Sequence, residues 1–165
     1  MQISRALEGE FWRVEELAER IHAETDYRDT PLDMEKVKVW YDGQFNHDDV
    51  VVLFALEDAR QHKNYMTSSS SQAGFKTIGL GAFFCHTHYW CDVKISSDLM
   101  VYVIPERRGS TTAMRIIKAY EQWAIGRGCQ EINLGISSGI NVERTSKFYY
   151  RLDYHPTALK FTKER

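Results

Sequence analysis

The chain has 165 residues, 43% of them hydrophobic, and its 21 Lys and Arg against 23 Asp and Glu leave a net charge of -2. That length predicts a single domain over 1–165, able to bury roughly 70% of its unfolded surface without a disulfide or metal staple. Near-balanced charge without a basic block argues against a nucleic-acid partner, and apolar runs of about seven residues fall far short of the ~20 that cross a bilayer.

From the N-terminus, Met1-Gln2-Ile3-Ser4-Arg5 lacks the basic region and apolar core of a signal peptide. Phe11, Val14, Leu17, Ala18 and Ile21 then recur at helical spacing and predict a helix from Glu8 to about Ala23. A polar stretch leads to Pro31 and a second, shorter helix carrying Met34, Val37, Trp40 and Tyr41, with Thr30 expected as its cap and Gly43 as its end. Val50 to Leu56 is a nearly unbroken apolar run, the pattern of a strand buried on both faces. Residues 57–74 are polar and include four consecutive serines, which predicts an exposed connection. Lys76 to His86 is the next expected strand, where Gly79 and Gly81 mark a bulge or a close backbone approach, and Asp98 to Ile104 is another.

The second half is more regular. Ala113, Ile116, Ile117, Tyr120, Trp123 and Ala124 lie on one face of the strongest predicted helix, which Gly126 and Gly128 end. Ile132, Leu134 and Ile136 alternate as a strand, Val142 to Leu152 forms a last helix, and His155 to Phe161 reads as a final strand. The expected order is α-α-β-β-β-α-β-α-β, an α+β or mixed α/β fold around one central sheet. Trp12, Trp40, Trp90 and Trp123 are scattered, as core or pocket lining rather than a base-stacking platform.

Chemistry concentrates between Val103 and Ala113. A strand runs through Pro105 into a turn of small and hydroxyl residues, which opens the long helix. Such a turn leaves several backbone N–H groups accessible at the positive end of the helix dipole, where phosphate binds. Arg107 and Arg108 stand beside it. A plain strand-to-helix turn capped by Ser110 explains the same pattern. There is no GxxxxGK[ST] motif, and neither Gly79-x-Gly81 nor Gly126-x-Gly128 opens a helix as a dinucleotide fingerprint must. Cys85, His86, His88, Cys91 and Asp92 are metal-ligand types in close sequence. Alternation, however, puts Cys85 in the core and the two histidines on the other face, so no metal site is expected. Three cysteines without CxxC spacing predict free thiols in a reducing, cytoplasmic compartment.

The segment Val103 to Ala113 resembles the acetyl-CoA signature of the GNAT superfamily of N-acetyltransferases, V-x-P-x-x-R-G-x-G-x-G/A. Val103, Pro105, Arg108, Gly109 and Ala113 match, and Thr111 stands at the second glycine position. Phe148 to Tyr154 is similar to the family's F/L-Y-x-K-L-G-F ending of the last helix, with Asp153 for Gly and Tyr154 for Phe, and Asn141 is similar to the Asn that opens that helix. The resemblance implies a mostly antiparallel sheet flanked by about four helices, which opens between the strands ending near Ile104 and Ile136. It implies acetyl-CoA as donor, its pantetheine along Val101, Val103 and Ile104, and its pyrophosphate on Arg108, Gly109, Ser110, Thr111, Thr112 and Ala113, with Asn141 nearby. It further implies that a primary amine attacks the thioester directly, that a backbone N–H near Val103 holds the oxyanion, and that Tyr149 protonates the departing thiolate. A core aromatic is the alternative role for Tyr149. The proton acceptor stays open among Asp98, Glu106, His86, His88 and water. The acceptor is a small-molecule or protein amine, and the sheet edges leave room for a homodimer. Thr111 and Asp153 keep open a catalytically silent acyl-CoA-binding or interaction module.

Overall fold

The computed structural model describes residues 1–59, 74–136, 141–158 and 163. Two compact units form, one over Met1–Gly135 and one over Ile136–Arg165. In chain order the first holds β1 (Gln2–Arg5), α1 (Phe11–Ala23), α2 (Met34–Gly43), β2 (Val50–Asp58), β3 (Phe75–Thr87), β4 (Lys94–Val103), α3 (Thr112–Gly126) and β5 (Glu131–Ile132). The second holds α4 (Val142–Tyr150).

The sheet runs β1-β2-β3-β4-β5. Its first four strands are antiparallel neighbours, and β5 joins β4 in parallel. β2 is buried from Val51 to Leu56, as its unbroken apolar run requires. α3 lies on the face of Gly79 and Gly81, where a side chain would collide. A Cβ on Gly81 would lie 2.6 Å from Ile116 Cγ2 and from the Phe83 ring. The Phe83 and Tyr120 rings stack at 3.9 Å between sheet and helix. α1 covers the alternate face, where its buried Arg13 pairs with Glu10, reaches the Thr77 hydroxyl and lies 6.0 Å from the Phe54 ring.

Several boundaries differ from expectation, each for a local reason. β1 was not expected, because Gln2–Arg5 carries one apolar side chain, Ile3. The strand exists through its pairing with Leu53 to Leu56. The order in the described residues is therefore β-α-α-β-β-β-α-β-α. α2 is capped by Asp33, which accepts the Lys36 N–H at 3.1 Å, and not by Thr30. β4 starts at Lys94, four residues before the expected Asp98, because Lys94 to Ser97 pair with β3. β5 is a ladder of two residues, without Leu134 and Ile136. Residues 155–158 are not a strand, and the rest of the expected final strand, like the serine tract, lies outside the described residues. Trp90 is 80% exposed at the β3–β4 hairpin tip, which corrects its placement in core or pocket. Of the two alternatives for Gly79 and Gly81, the close approach is seen at both, from the Ile116 side chain and, at Gly79, the Tyr102 carbonyl; the bulge falls next to Gly79, with Ile78 as the extra residue.

Candidate active site

The site begins where β4 loses its partner. After Ile95↔Glu131 and Ser96↔Ile132, the Asn133 N–H still donates to the Ser96 carbonyl at 2.8 Å. A regular parallel ladder would next carry a bond from the Asp98 N–H to the Asn133 carbonyl. The buried Tyr120 hydroxyl takes that place, 3.1 Å from the carbonyl and 2.8 Å from Ser96 Oγ. Two residues on, the Asp98 carboxylate accepts the Gly135 N–H at 2.7 Å. Side chains thus replace main-chain bonds, and the strands part.

The opposite edge of β4 stays bound to β3. A register shift between Ala82 and Phe83 leaves Leu99 as an extra residue, 44% exposed. Past this bulge the Ile104 N–H donates to the Ile78 carbonyl at 3.1 Å. Antiparallel pairs alternate, so Val101 and Val103, opposite Gly81 and Gly79, turn their N–H and C=O groups away from β3 toward the parted side. Arg108 confirms the direction, since its Nε donates to the Val103 carbonyl at 2.9 Å.

β4 then enters the turn. Gly109 has φ 81°, a left-handed conformation that other residues adopt only at a cost. Ser110 Oγ donates to the Arg107 carbonyl at 2.6 Å, touches Thr112 Oγ1 and accepts the Thr112 N–H at 3.3 Å. Among the described residues the N–H groups of Gly109, Thr111 and Ala113 make no hydrogen bond within the chain. They surround the start of α3, whose dipole favours an anion there.

Three ion pairs tie this turn down: Arg20–Glu106 at 2.6 Å, Arg107–Glu57 at 2.5 Å and Arg108–Glu24 at 2.6 Å. Glu24, at the C-cap of α1, also accepts the Tyr102 hydroxyl at 3.1 Å. The Arg108 guanidinium is therefore divided between Val103 and Glu24, 5.5 Å from the Tyr102 ring, and its Nη1 makes no bond among the described residues.

Of the proton-acceptor candidates, Asp98 stands at the parting itself. Burial raises its carboxyl above the usual range, against the opposing effect of the Gly135 N–H. Glu106 is held below its ordinary value by its own backbone N–H and then by Arg20, and it is exposed. His86 pairs with Ile95 at the far end of β4, eight residues from Val103, or about 26 Å along a strand. His88 lies beyond it, in the hairpin tip. Cys85 is buried while His86 is exposed, as alternation predicts.

In the second unit, Asn141 opens α4 in the left-handed region, φ 49°, and its carbonyl accepts the Thr145 N–H. Tyr149 is half-buried. Its carbonyl accepts the N–H groups of Leu152 and Tyr154, and its ring lies 5.9 Å from Phe148 and 6.1 Å from Tyr154. Asp153, at the family's glycine position, has φ 64°.

No protein-family model matches the sequence, and no curated protein matches it. Solved structures do match. An acetyltransferase of Trypanosoma brucei superposes with a TM-score of 0.70 at 14% identity, over 99% of this chain and 99% of its own. AAC(6')-Iy in complex with the bisubstrate analogue CoA-S-monomethyl-acetylneamine gives 0.71 at 15%, over 99% and 97%. Glucosamine-6-phosphate N-acetyltransferase of Arabidopsis thaliana gives 0.69 at 14%, also over 99% and 97%. The chain has the GNAT fold.

Within this GNAT fold, Val101 and Val103 form the open edge of β4, while Ile104, just past the strand, is buried and gives its N–H to β3 instead; Arg108 to Ala113 form the turn that follows, and all of these lie in the first unit. Asn141 and Tyr149 belong to the second. Sequence reasoning missed Glu24, Glu57 and Tyr120. Tyr120 lies on the apolar face of its helix, where a phenol among side chains without oxygen is the one local sign that a hydroxyl needs a partner. Nothing local marks Glu24 or Glu57, which meet their arginines 84 and 50 residues away.

Proposed function

We propose that this chain is an acetyl-CoA-dependent N-acetyltransferase in which both units act as one domain. The observation that carries the proposal is the edge of β4 that is unpaired among the described residues, leading directly into a turn whose N–H donors have no partner among those residues, in a GNAT fold. Both features suit the donor: the edge offers amide partners to pantetheine, and Gly109, Thr111 and Ala113 offer N–H groups to pyrophosphate. Arg108 adds its remaining Nη1, and Ser110, Thr112 and Asn141 complete the cofactor set.

In this proposal Asp98, or a water it binds, takes the proton from the acceptor ammonium. The freed amine attacks the thioester carbon, and the carbonyl oxygen becomes an oxyanion beside the Val101–Val103 N–H groups. Such a donor is worth about 3–4 kcal/mol in acyl transfer. Collapse expels the thiolate, which Tyr149 protonates. A phenol, with an ordinary pKa near ~10, still carries its proton at neutral pH. The acceptor is a primary amine. Solved relatives include an aminoglycoside N-acetyltransferase and the glucosamine-6-phosphate enzyme, which supports a small polar amine over a nucleic acid.

Titration calorimetry with acetyl-CoA is the first test, and absence of binding at millimolar donor would end the proposal. A thiol-release assay over a panel of amines is the second. Binding without turnover on any amine would favour the silent module that Thr111 and Asp153 leave open. On a validated acceptor, Tyr149→Phe is expected to lower kcat by about two orders of magnitude. Unchanged turnover would remove the acid role from Tyr149.

A further inference from the structure

Cys85 and Cys129 stand 44 residues apart, yet their Sγ atoms are 3.0 Å from each other. Separate parts of the fold bring them together. Cys85 is buried in β3 opposite Ser96, and its N–H donates to the Asp49 carbonyl at 2.7 Å. Cys129 follows Gly128, whose φ of 77° reverses the chain after α3, and its N–H donates to the Ala124 carbonyl at 3.0 Å. A disulfide needs the sulfurs at about 2.05 Å, so about one ångström of approach separates contact from bond. The acyl-transfer proposal uses neither thiol. Cys91, the remaining cysteine, is exposed at the hairpin tip with its Sγ 3.5 Å from His88 Nδ1, and it serves as an internal control.

We propose that Cys85 and Cys129 are an oxidisable dithiol that closes to an intramolecular disulfide when the protein meets a peroxide. Cys129 is the more accessible of the two and reacts first. Its thiolate attacks the O–O bond of hydrogen peroxide, takes up one oxygen as a sulfenic acid, and releases the other as hydroxide, which becomes water with the proton the thiol gave up on ionising. The Cys85 sulfur then attacks the Cys129 sulfur and displaces the hydroxyl, which leaves with the Cys85 proton as a second water. Two thiols lose two electrons and two protons, and the peroxide is reduced to two waters. Burial, and then the Cys129 thiol, push the Cys85 thiol up to about 12, so it stays protonated and unreactive until that step. The new bond ties β3 to the chain just before β5, at the base of the region where β4 and β5 part.

The test uses the fully reduced chain, exposed to one equivalent of hydrogen peroxide and then alkylated with iodoacetamide in denaturant. Intact mass and peptide mapping are expected to show one alkylated cysteine, Cys91, and a cross-linked pair containing Cys85 and Cys129 that dithiothreitol releases. Cys91→Ser is expected to give the same cross-link, and Cys85→Ser to leave a dimedone-reactive sulfenic acid on Cys129. Three alkylated cysteines after peroxide, a cross-link through Cys91, or sulfinic acid on Cys129 without a cross-link would each overturn the proposal. Should Cys85→Ser fail to fold, the wild type and Cys91→Ser decide the question alone.

Discussion

Two demands on a carboxylate conflict at Asp98. Its burial favours the neutral form, while the Gly135 N–H at 2.7 Å favours the anion, and burial is the larger effect. Its folded-state pKa therefore lies above the unfolded value. A group so shifted adds stability that is full below the ordinary Asp value near ~4 and is lost as pH rises through the folded value. Asp98→Asn keeps an oxygen for Gly135 and removes the buried charge. Thermal melts should show the variant with a higher Tm than wild type at pH 7, and the two converging toward about pH 4. Activity should move the other way, because the limb of kcat/KM that rises with ionisation of Asp98 disappears from the pH profile. A wild-type Tm above the variant's at pH 7 would contradict this account. Tyr120 offers a second residue-scale test. Phe keeps the stack on Phe83 but strips the partner from the Asn133 carbonyl, a loss expected to cost about 1–3 kcal/mol in urea unfolding.

At the scale of elements, α3 and β3 meet through missing side chains. Gly81→Ala would put a methyl 2.6 Å from Ile116 Cγ2 and from a Phe83 ring already stacked on Tyr120, so neither neighbour has room to yield. Overpacking of this kind costs about 1–3 kcal/mol. Gly43→Ala is the contrasting case, because it ends α2 with nothing within 4 Å of its added Cβ. There the variant is expected to unfold at slightly higher denaturant, by about 0.5–1 kcal/mol, since Ala loses less chain entropy in a helix. Most elements were legible because their signals are local. α1 and α3 follow a 3.6-residue period and β2 an unbroken apolar run, and the Gly128 stop appears with its positive φ. β1 was illegible because its strand character comes from β2, about 50 residues away. The short β5 was illegible because Leu134 and Ile136 continue an alternation that Tyr120 and Asp98 interrupt from outside.

At the scale of the whole molecule, the proposed donor should act as a folding ligand. Anything that binds only the native state adds RT ln(1 + [L]/Kd), about 2.7 kcal/mol at a hundredfold excess over Kd. For a chain of this size that corresponds to a rise in Tm of about 5–10 °C, measurable by scanning calorimetry. No rise with millimolar acetyl-CoA would argue against the cofactor assignment independently of any acceptor.

The sequence by itself determined the four helices and the middle strands β2 to β4, the turn from Val103 to Ala113, and the resemblance carried by that turn and by Phe148 to Tyr154. Those features depend on neighbours within about one or two helical turns, so composition and spacing report them. Tertiary structure decided the rest: the parting of β4 from β5, the division of Arg108 between Val103 and Glu24, the burial of Asp98 against the Gly135 N–H, and the meeting of Cys85 with Cys129. Each depends on a hydrogen bond, a desolvated charge or a contact between residues far apart in the chain. The energy of such an interaction is set by distance and burial in the folded state, which no local pattern encodes.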